Sequence, residues 1–585
     1  MNSFQKIKDV LNEIAGGSNF ALDVPEEMTH GDYATNILFV FNVAEEKGLY
    51  PSTAFEEIYP ILKEKLKDIV LDGGEGVKFA HPGFINFYLK DEIVREENNI
   101  EIKNIKTKYT GQNILVEHSS PNLFKPFSIG HLMNNFVGEF IVRATKIGGG
   151  NVRSMSFPSD VSLGIAKALF IIERDIQEGK INLNYFETTN EDEVIKYLGE
   201  AYVRGVKECE ENEESLNKAK KVLDRMYNIK DDDFYLLVSK TRLINENYFK
   251  RILNEIGTNI DGFVYESWAG DVGKKIVEKN TGNGKVFAES EGAVVYVPSE
   301  ERKDINISVF INSQGYPTYE AKDLGLVEIK FKWLSPTIAN FFPDISLFVT
   351  DSEQSQHFKV VFDAAEKLGD DWKEWIAKSK HIPHGRMAFK GQKMSSRLGG
   401  VPLALETIET VCEEVRVRAG EKIAHLSAEE KNKLEKDIVL SALRIAVLRS
   451  KPGLNINFDP ETSLSFEGDS GPYLMYTHAR CVSLLEKGKE KNIEPKFGNY
   501  EKSELEWKLH SFELVLKESI EELAPQKLVT YLFSLAQEFN SFYGNTQILS
   551  DDKEKTEHNL AVVNCVKNVL KTGLYVLGII APNKM

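Results

Sequence analysis

The stretch Val116-Glu117-His118-Ser119-Ser120-Pro121-Asn122-Leu123-Phe124-Lys125-Pro126-Phe127-Ser128-Ile129-Gly130-His131 decides how this chain folds. The run Ile114-Leu115-Val116 leading into it is short and wholly apolar, as expected of a strand covered on both faces of a parallel sheet. Ser, Pro and Asn then form a loop, and Gly130-His131 opens a long helix that Gly148, Gly149 and Gly150 bring to an end. Strand, loop and helix in that order begin an α/β sheet, whose ligands sit at the carboxyl ends of the strands. Glycine at the helix start lets a ligand approach the backbone. The free N–H groups and positive dipole end there, with Lys125 and His131 as side-chain donors, suit a phosphate.

Working outward, residues 175–285 are charged and helical in tendency, and they read partly as an insertion in that sheet. Strand-like runs return at Gly292 to Val297, at Ile307 to Ile311 and at Ile345 to Val349, and from Glu406 the pattern is helical almost to the end. Leu528, Leu532, Leu535, Phe539 and Phe542 mark one face of a helix opened by Pro525. On the amino-terminal side, an amphipathic helix and a helical stretch from Ala54 to Lys67 precede Val77 to Leu89, where apolar and polar residues partly alternate around a Pro82-Gly83 break. The polar run 91–113 reads as a linker, which puts a boundary near residue 108. The expected fold is α/β: a Rossmann-like parallel-sheet domain with an insertion (109–455), an amino-terminal α+β domain (1–108) and a carboxy-terminal all-α bundle (456–585).

A length of 585 residues fits roughly three or four domains, and 42% hydrophobic with 28% charged residues excludes bulk disorder. The 72 basic and 89 acidic residues give a net charge of −17, which argues against coating of DNA or of an anionic membrane. No apolar stretch reaches the roughly 20 residues of a membrane helix, and the first residues lack a secretory pattern. Cys209, Cys412, Cys481 and Cys565 are scattered without metal-ligand spacing, so reduced structural thiols, a cytoplasmic location and no structural metal are expected.

A second cationic loop, Phe389-Lys390-Gly391-Gln392-Lys393-Met394-Ser395-Ser396-Arg397, suits a polyphosphate leaving group. Alone, a Gly-His helix start is more often structural and a Lys/Arg loop is usually a solvated surface. In this order, the two resemble the signatures of class I aminoacyl-tRNA synthetases, with Ser128 to His131 at the HIGH position and Lys393 to Arg397 at the KMSKS position. Within that class the chain is most similar to arginyl-tRNA synthetases, whose VE-x-SSPN-x-x-KPF-HIGH segment matches Val116 to His131 with one departure, Ser128 for the first His. Gly31 to Asn36 and Pro82 to Asn86 look like that family's amino-terminal domain. Leu464 to Gly468, Gly471 to Arg480 and Leu577 to Met585 look like its anticodon-binding domain.

The resemblance implies ATP, carried with Mg²⁺, as a substrate bound by Ile129, Gly130, His131, Lys393, Met394, Ser395, Ser396 and Arg397. Ser128, Gly130, His131, Lys125 and Lys393 would serve the chemistry. Where the motif's second lysine belongs stands Ser396, and Lys125 would substitute for it. A guanidinium is planar and permanently charged, so its site needs carboxylates and neutral acceptors. Tyr319 and Asp323, i and i+4 on a helix, share one face. By resemblance they contact L-arginine, with Glu117 as a second carboxylate and Ser120, Asn122 and Gln354 on the α-amino group. Tyr473, Tyr476 and Arg480, spaced i, i+3 and i+7, would stack on anticodon bases of tRNA(Arg), and Phe84 and Asn86 would meet the outer corner of the tRNA.

The implied enzyme is an arginine–tRNA ligase acting as a monomer, without DNA or membrane partners. A weakened paralogue that only holds tRNA is the alternative that Ser128 and Ser396 leave open. The kept set Glu117, Asn122, Tyr319, Asp323 and Gln354 weighs against it. A small-molecule nucleotidyltransferase would need neither the amino-terminal domain nor the helical bundle. The net −17 is expected away from a much less acidic track running from Phe84 past Lys125 and Lys393 to Arg480.

Overall fold

The structure is a computed structural model that describes residues 2–44, 50–228, 231–332, 340–390, 404–419 and 427–585. At its centre five parallel strands lie in the order Ser379–His384, Ile345–Asp351, Asn113–Glu117, Asn151–Ser156 and Gly262–Phe263. The chain enters in the middle, builds outward to one side and then crosses to the other. The order therefore reverses between Asn113–Glu117 and Ile345–Asp351, the place where a doubly wound sheet opens a ligand crevice. Ile114, Leu115 and Val116 are fully buried, as a central parallel strand requires.

The helix Ile129–Ile147 follows the first strand and packs over it. An added Cβ at Gly138 would stand 2.3 Å from the ring of His118, so only glycine lets this helix lie so close to the strand end. On the other side of the crevice, the helices Glu266–Lys279 and Tyr319–Lys332 meet at Gly273 and Gly325. A Cβ on either would fall within 2.0 Å of the partner's backbone, and this close pairing fixes the helix that carries Tyr319 and Asp323.

The charged region is helical, as expected: Glu191–Glu211, Glu213–Tyr227 and Asp232–Glu255 pack on or near Leu163–Gln177. The main sheet regains the chain at Gly262–Phe263, inside the stretch read as insertion, because a two-residue strand leaves no periodic signal. The strands expected near 292–297 and 307–311 form, but they belong to a separate antiparallel sheet made by Phe287–Ser290, Ala293–Tyr296 and Ser308–Ile311.

The amino-terminal part has an antiparallel four-stranded sheet and its own core, which includes Ile7, Leu11, Ile58, Leu62 and Phe87. The polar run read as a linker begins with a helix, Asp91–Asn98, whose buried residues include Val94, Arg95 and Asn98. Its charged residues are those of a docking face. Arg95 Nε donates to Glu506 Oε1 over 2.7 Å, and Asn98 Nδ2 donates to the carbonyl of Glu506 over 2.8 Å.

In the carboxy-terminal bundle Leu528, Leu532, Leu535 and Phe539 are fully buried, while Phe542, at the end of the stripe, is only partly covered. The bundle and the parallel-sheet layer share one continuous hydrophobic core. All four cysteines are buried and unpaired. Among the described residues no helix is long and apolar enough to cross a membrane, and no group of His, Cys, Asp and Glu is placed to hold a metal ion.

Candidate active site

The loop between the first strand and its helix is held in an uncommon backbone conformation. Ser119 and Phe124 both have left-handed φ, 56° and 64°, a strain that persists only where the surroundings impose it. Ser119 N–H donates to Asn134 Oδ1 over 2.6 Å and Phe124 N–H to Asn245 Oδ1 over 3.0 Å. These side chains come from the motif helix and from the inserted helices, so both elements fix the loop.

Ser128 stands at the cap of the helix. Its backbone N–H donates to His131 Nδ1 over 3.0 Å, and its hydroxyl lies 3.3 Å from the same nitrogen. A nitrogen that accepts a backbone N–H carries no proton, so the His131 proton sits on Nε2, where it can be donated to a ligand. Burial, then the positive Lys125 and the neighbouring His384, push the His131 pKa down to about 4. Its imidazole is therefore neutral near pH 7. Lys125 is exposed beside it, its ammonium 5.3 Å from the Tyr202 ring centroid.

Lys393, Met394, Ser395, Ser396 and Arg397 lie outside the described residues. The chain on either side of them is placed. Met387–Phe389 pairs in parallel with Ile456–Phe458, and Lys390 Nζ bonds Asp459 Oδ2 over 2.9 Å. After the loop, the Ala404 N–H donates to the carbonyl of Phe127 over 2.8 Å. The chain is described again from Ala404, which lies beside the residue immediately before Ser128.

The proposed arginine residues come from the central strand, the loop after it, the turn after Ile345–Asp351 and the helix Tyr319–Lys332. Glu117 ends the central strand, and Ser120 Oγ accepts the Phe157 N–H over 2.9 Å. Asn122 bridges to Ser159. Gln354 is exposed on the turn that follows Ile345–Asp351, across the switch point. Glu117 and Asp323 line one small cavity together with Lys330 and Phe348. Tyr319, 59% exposed, stands at the amino-terminal end of the helix Tyr319–Lys332.

The buried carboxylates here lie against basic side chains, two of them sharing His357. Lys330 forms a buried ion pair with Glu117 without the alignment of a hydrogen bond, and Lys322 Nζ lies 2.7 Å from Glu266 Oε2. His357 Nε2 is 2.5 Å from Asp323 Oδ2. Burial lowers the His357 pKa, but bonds to Asp323 and Glu320 outweigh it and raise the value to about 10, so His357 is an imidazolium. The sequence reading passed over His357, Lys330, Lys322 and Glu266. The only signal was His357 at helical spacing, i+3, from Gln354.

On the bundle, Tyr473 and Arg480 meet at Asn540, and Tyr476 packs against Arg480. Arg480 and the Tyr473 hydroxyl both bond its amide, and the guanidinium lies 4.8 Å from the Tyr476 ring centroid and 4.5 Å from that of Tyr543. Tyr476 and Tyr543 are 37% and 42% exposed; Tyr543 was missed because it falls beside the buried stripe of its helix. On the amino-terminal domain Phe84 is exposed and packs edge-on to Phe39, whereas Asn86 is buried between two neighbouring strands.

Comparison with known proteins bears on the family and the fold. The family model "tRNA synthetases class I (R), catalytic domain" matches residues 94–459. "Arginyl tRNA synthetase N terminal domain" matches 3–89, and "DALR anticodon binding domain" matches 474–585. The arginine–tRNA ligase of Clostridium perfringens is 27% identical over 577 residues, covering 96% of this chain and 96% of its own. That of Borreliella afzelii is 28% identical over 619 residues, covering 99% and 98%. Two solved structures share the fold. The Thermus thermophilus arginyl-tRNA synthetase has a TM-score of 0.76 at 24% identity, covering 100% of this chain and 99% of its own. The Plasmodium falciparum enzyme has a TM-score of 0.71 at 18% identity, covering 100% and 98%. With one family model spanning well over half its length and the other two covering its ends, this chain belongs to the arginyl-tRNA synthetases of class I.

Proposed function

We propose that this chain is an arginine–tRNA ligase: it activates L-arginine with ATP and transfers it to the 3′ end of tRNA(Arg). In the first step the arginine carboxylate attacks the α-phosphate of ATP in line, forming arginyl-adenylate and releasing pyrophosphate. In the second a ribose hydroxyl of the terminal nucleotide attacks the adenylate carbonyl, giving arginyl-tRNA and AMP. The protein's part is positioning and charge stabilisation.

His131 Nε2–H donates to the phosphates, the helix start contributes its free N–H groups, and Lys125 supplies the mobile positive charge. Lys393 to Arg397 act on the pyrophosphate, with Mg²⁺ as part of the ATP complex. Glu117, Tyr319 and Asp323 take the guanidinium, and Ser120, Asn122 and Gln354 the α-amino group. Phe84 meets the corner of the tRNA, with Asn86 behind it, and Tyr473, Tyr476 and Arg480 meet the anticodon. Three modules carry these tasks: 1–108, 109–455 with its insertion, and 456–585. The enzyme works as a monomer in the cytoplasm, a location with which its four buried free thiols accord.

The observation that carries the reading is the start of the motif helix at the carboxyl end of the central strand, where the Ser128 N–H bonds His131 Nδ1 and leaves the proton on Nε2 for a phosphate. Arginine-dependent exchange of pyrophosphate into ATP, in the presence of tRNA(Arg), tests it. Exchange that needs both arginine and tRNA supports the ligase. Its absence, with tRNA binding retained, favours the non-catalytic alternative.

A further inference from the structure

The imidazole of His357 stands between two carboxylates of one helix. Its Nε2 lies 2.5 Å from Oδ2 of Asp323 and its Nδ1 3.9 Å from Oε1 of Glu320. All three side chains are largely buried, and Glu320 and Asp323 are i and i+3, on the same face of the helix Tyr319–Lys332. Left to themselves, two carboxylates so placed repel each other, and burial would drive one of them to rotate away or take up a proton. His357 answers both at once. Its pKa is raised to about 10 in spite of burial, and that of Glu320 is lowered in spite of burial, so the imidazolium and this carboxylate are charged together.

The charges around the pocket then leave a definite remainder. Glu117 is matched by Lys330, Glu266 by Lys322, and Glu320 with Asp323 by the single charge of His357. Among the described residues, Glu320 and Asp323 are two carboxylates on one imidazolium, at the helix turn where the guanidinium is expected. A single guanidinium completes the balance; a neutral side chain leaves a buried charge unpaired, which is costly.

We propose that His357 is a positioning residue for arginine recognition, holding the Asp323 carboxylate aimed at the guanidinium while it offsets the charge of Glu320. The proposal rests on the assignment of Asp323 to the guanidinium. His357 does not touch the reacting atoms, so its loss acts on KM for arginine and leaves kcat nearly alone.

The test is steady-state aminoacylation by the full-length enzyme at neutral pH for H357L, H357Q, E320Q, D323N and the double variant H357L/E320Q. Loss of a buried bond to a charged group predicts that H357L raises KM for arginine about ten- to hundredfold, with kcat within about threefold. H357Q keeps a donor without the charge, and its KM falls between. Removing the opposing carboxylate restores Asp323, so E320Q recovers most of the loss in the H357L background. An unchanged KM in H357L, or a raised KM that E320Q does not relieve, overturns the proposal. If H357L does not fold, H357Q with and without E320Q decides by the same criterion. D323N separates the two levels: no rise in KM there removes the arginine assignment itself, whereas a rise in D323N without one in the His357 variants removes only the role of His357.

Discussion

The backbone N–H of Ala404 donates to the carbonyl of Phe127 over 2.8 Å, and Phe127 immediately precedes the cap of the motif helix. This one bond places Ala404 beside the start of the motif helix. Ala404 is also the first residue of the helix Ala404–Ala419, where proline is tolerated because its fixed φ suits a first turn. Ala404→Pro therefore removes the donor with little harm to the helix. The expected result is a tRNA-dependent pyrophosphate exchange rate lower by about five- to tenfold, the worth of one backbone hydrogen bond, with KM for arginine unchanged. A parallel rise in KM for arginine would mean that the bond holds the amino-acid pocket instead.

Ser128 occupies the place of a histidine in the family pattern, and the structure shows what it does there. Its N–H fixes the tautomer of His131, and its hydroxyl adds a contact to the same nitrogen. Ser128→His keeps the backbone bond, loses the hydroxyl and gains a second imidazole donor near the phosphates. Thermal unfolding is expected to show a loss of about 1 kcal/mol. Pyrophosphate exchange is expected to rise by about tenfold, since one well-aimed donor contributes roughly 1–3 kcal/mol to a developing anion. A rate that stays level or falls would show that Lys125 and the cationic loop already supply the charge.

Arg480 lies between the rings of Tyr476 and Tyr543 and is anchored by Asn540. On the proposed reading, the two exposed rings and the guanidinium plane offer a stacking surface to unpaired bases. Tyr543→Ala is expected to weaken tRNA(Arg) binding by about 1–3 kcal/mol in a filter-binding or fluorescence titration, as loss of one stacked base does. KM for arginine and ATP should not move. Unchanged tRNA affinity would place the anticodon elsewhere on the bundle.

The amino-terminal domain docks on the bundle through buried polar pairs that report on pH. Lys502 Nζ bonds Asp32 Oδ1 over 2.6 Å, Trp507 Nε1 donates to the carbonyl of Gly31 over 3.0 Å, and the Tyr33 hydroxyl lies 2.9 Å from His510 Nε2. Burial, then the nearby Lys502, push the His510 pKa down to about 3. The unfolded chain takes up a proton on this histidine near pH 6.5 and the folded one does not, so stability is complete above that pH and is lost as pH falls toward 3. His510→Gln keeps a hydrogen-bonding group but cannot titrate. Its urea-unfolding free energy should fall less steeply between pH 6 and pH 4, by up to about 1.4 kcal/mol per pH unit. An acid limb as steep as that of the parent would assign the effect to His118, His131 and His381, whose pKa values burial also lowers.

The parallel sheet, the motif helix and the carboxy-terminal bundle were legible because each leaves a periodic or capped signature: Ile114 to Val116, Gly130 to Gly150, and Leu528 to Phe539. The two-residue strand Gly262–Phe263 and the docking helix Asp91–Asn98 were not. The first is too short for a period, and the second carries charges that become buried partners only once Glu506 and Lys502 are in place. In the pocket, the residues expected to touch arginine were named from their types and from family likeness. Lys330, Lys322 and His357 went unnoticed because a neutralising cation is defined by the carboxylate it meets in space, and nothing in the spacing of Glu117 and Lys330 announces that meeting. Gly31-Asp32-Tyr33 was legible as a motif, but its docking to Trp507, Lys502 and His510 was not.

The central claim is that the crevice between Glu117 and Gln354 selects arginine and joins it to tRNA. Its most direct measurement is the formation of aminoacyl-tRNA from labelled arginine, ATP and tRNA(Arg), compared between the parent chain and Asp323→Asn, with lysine as the competing cationic amino acid. The account predicts arginyl-tRNA that requires all three substrates, no appreciable lysyl-tRNA, and a loss of kcat/KM of about a hundredfold or more in Asp323→Asn, as breaking a buried charged pair entails. Charging that is as good with lysine, or that survives the Asp323 substitution unchanged, would contradict it.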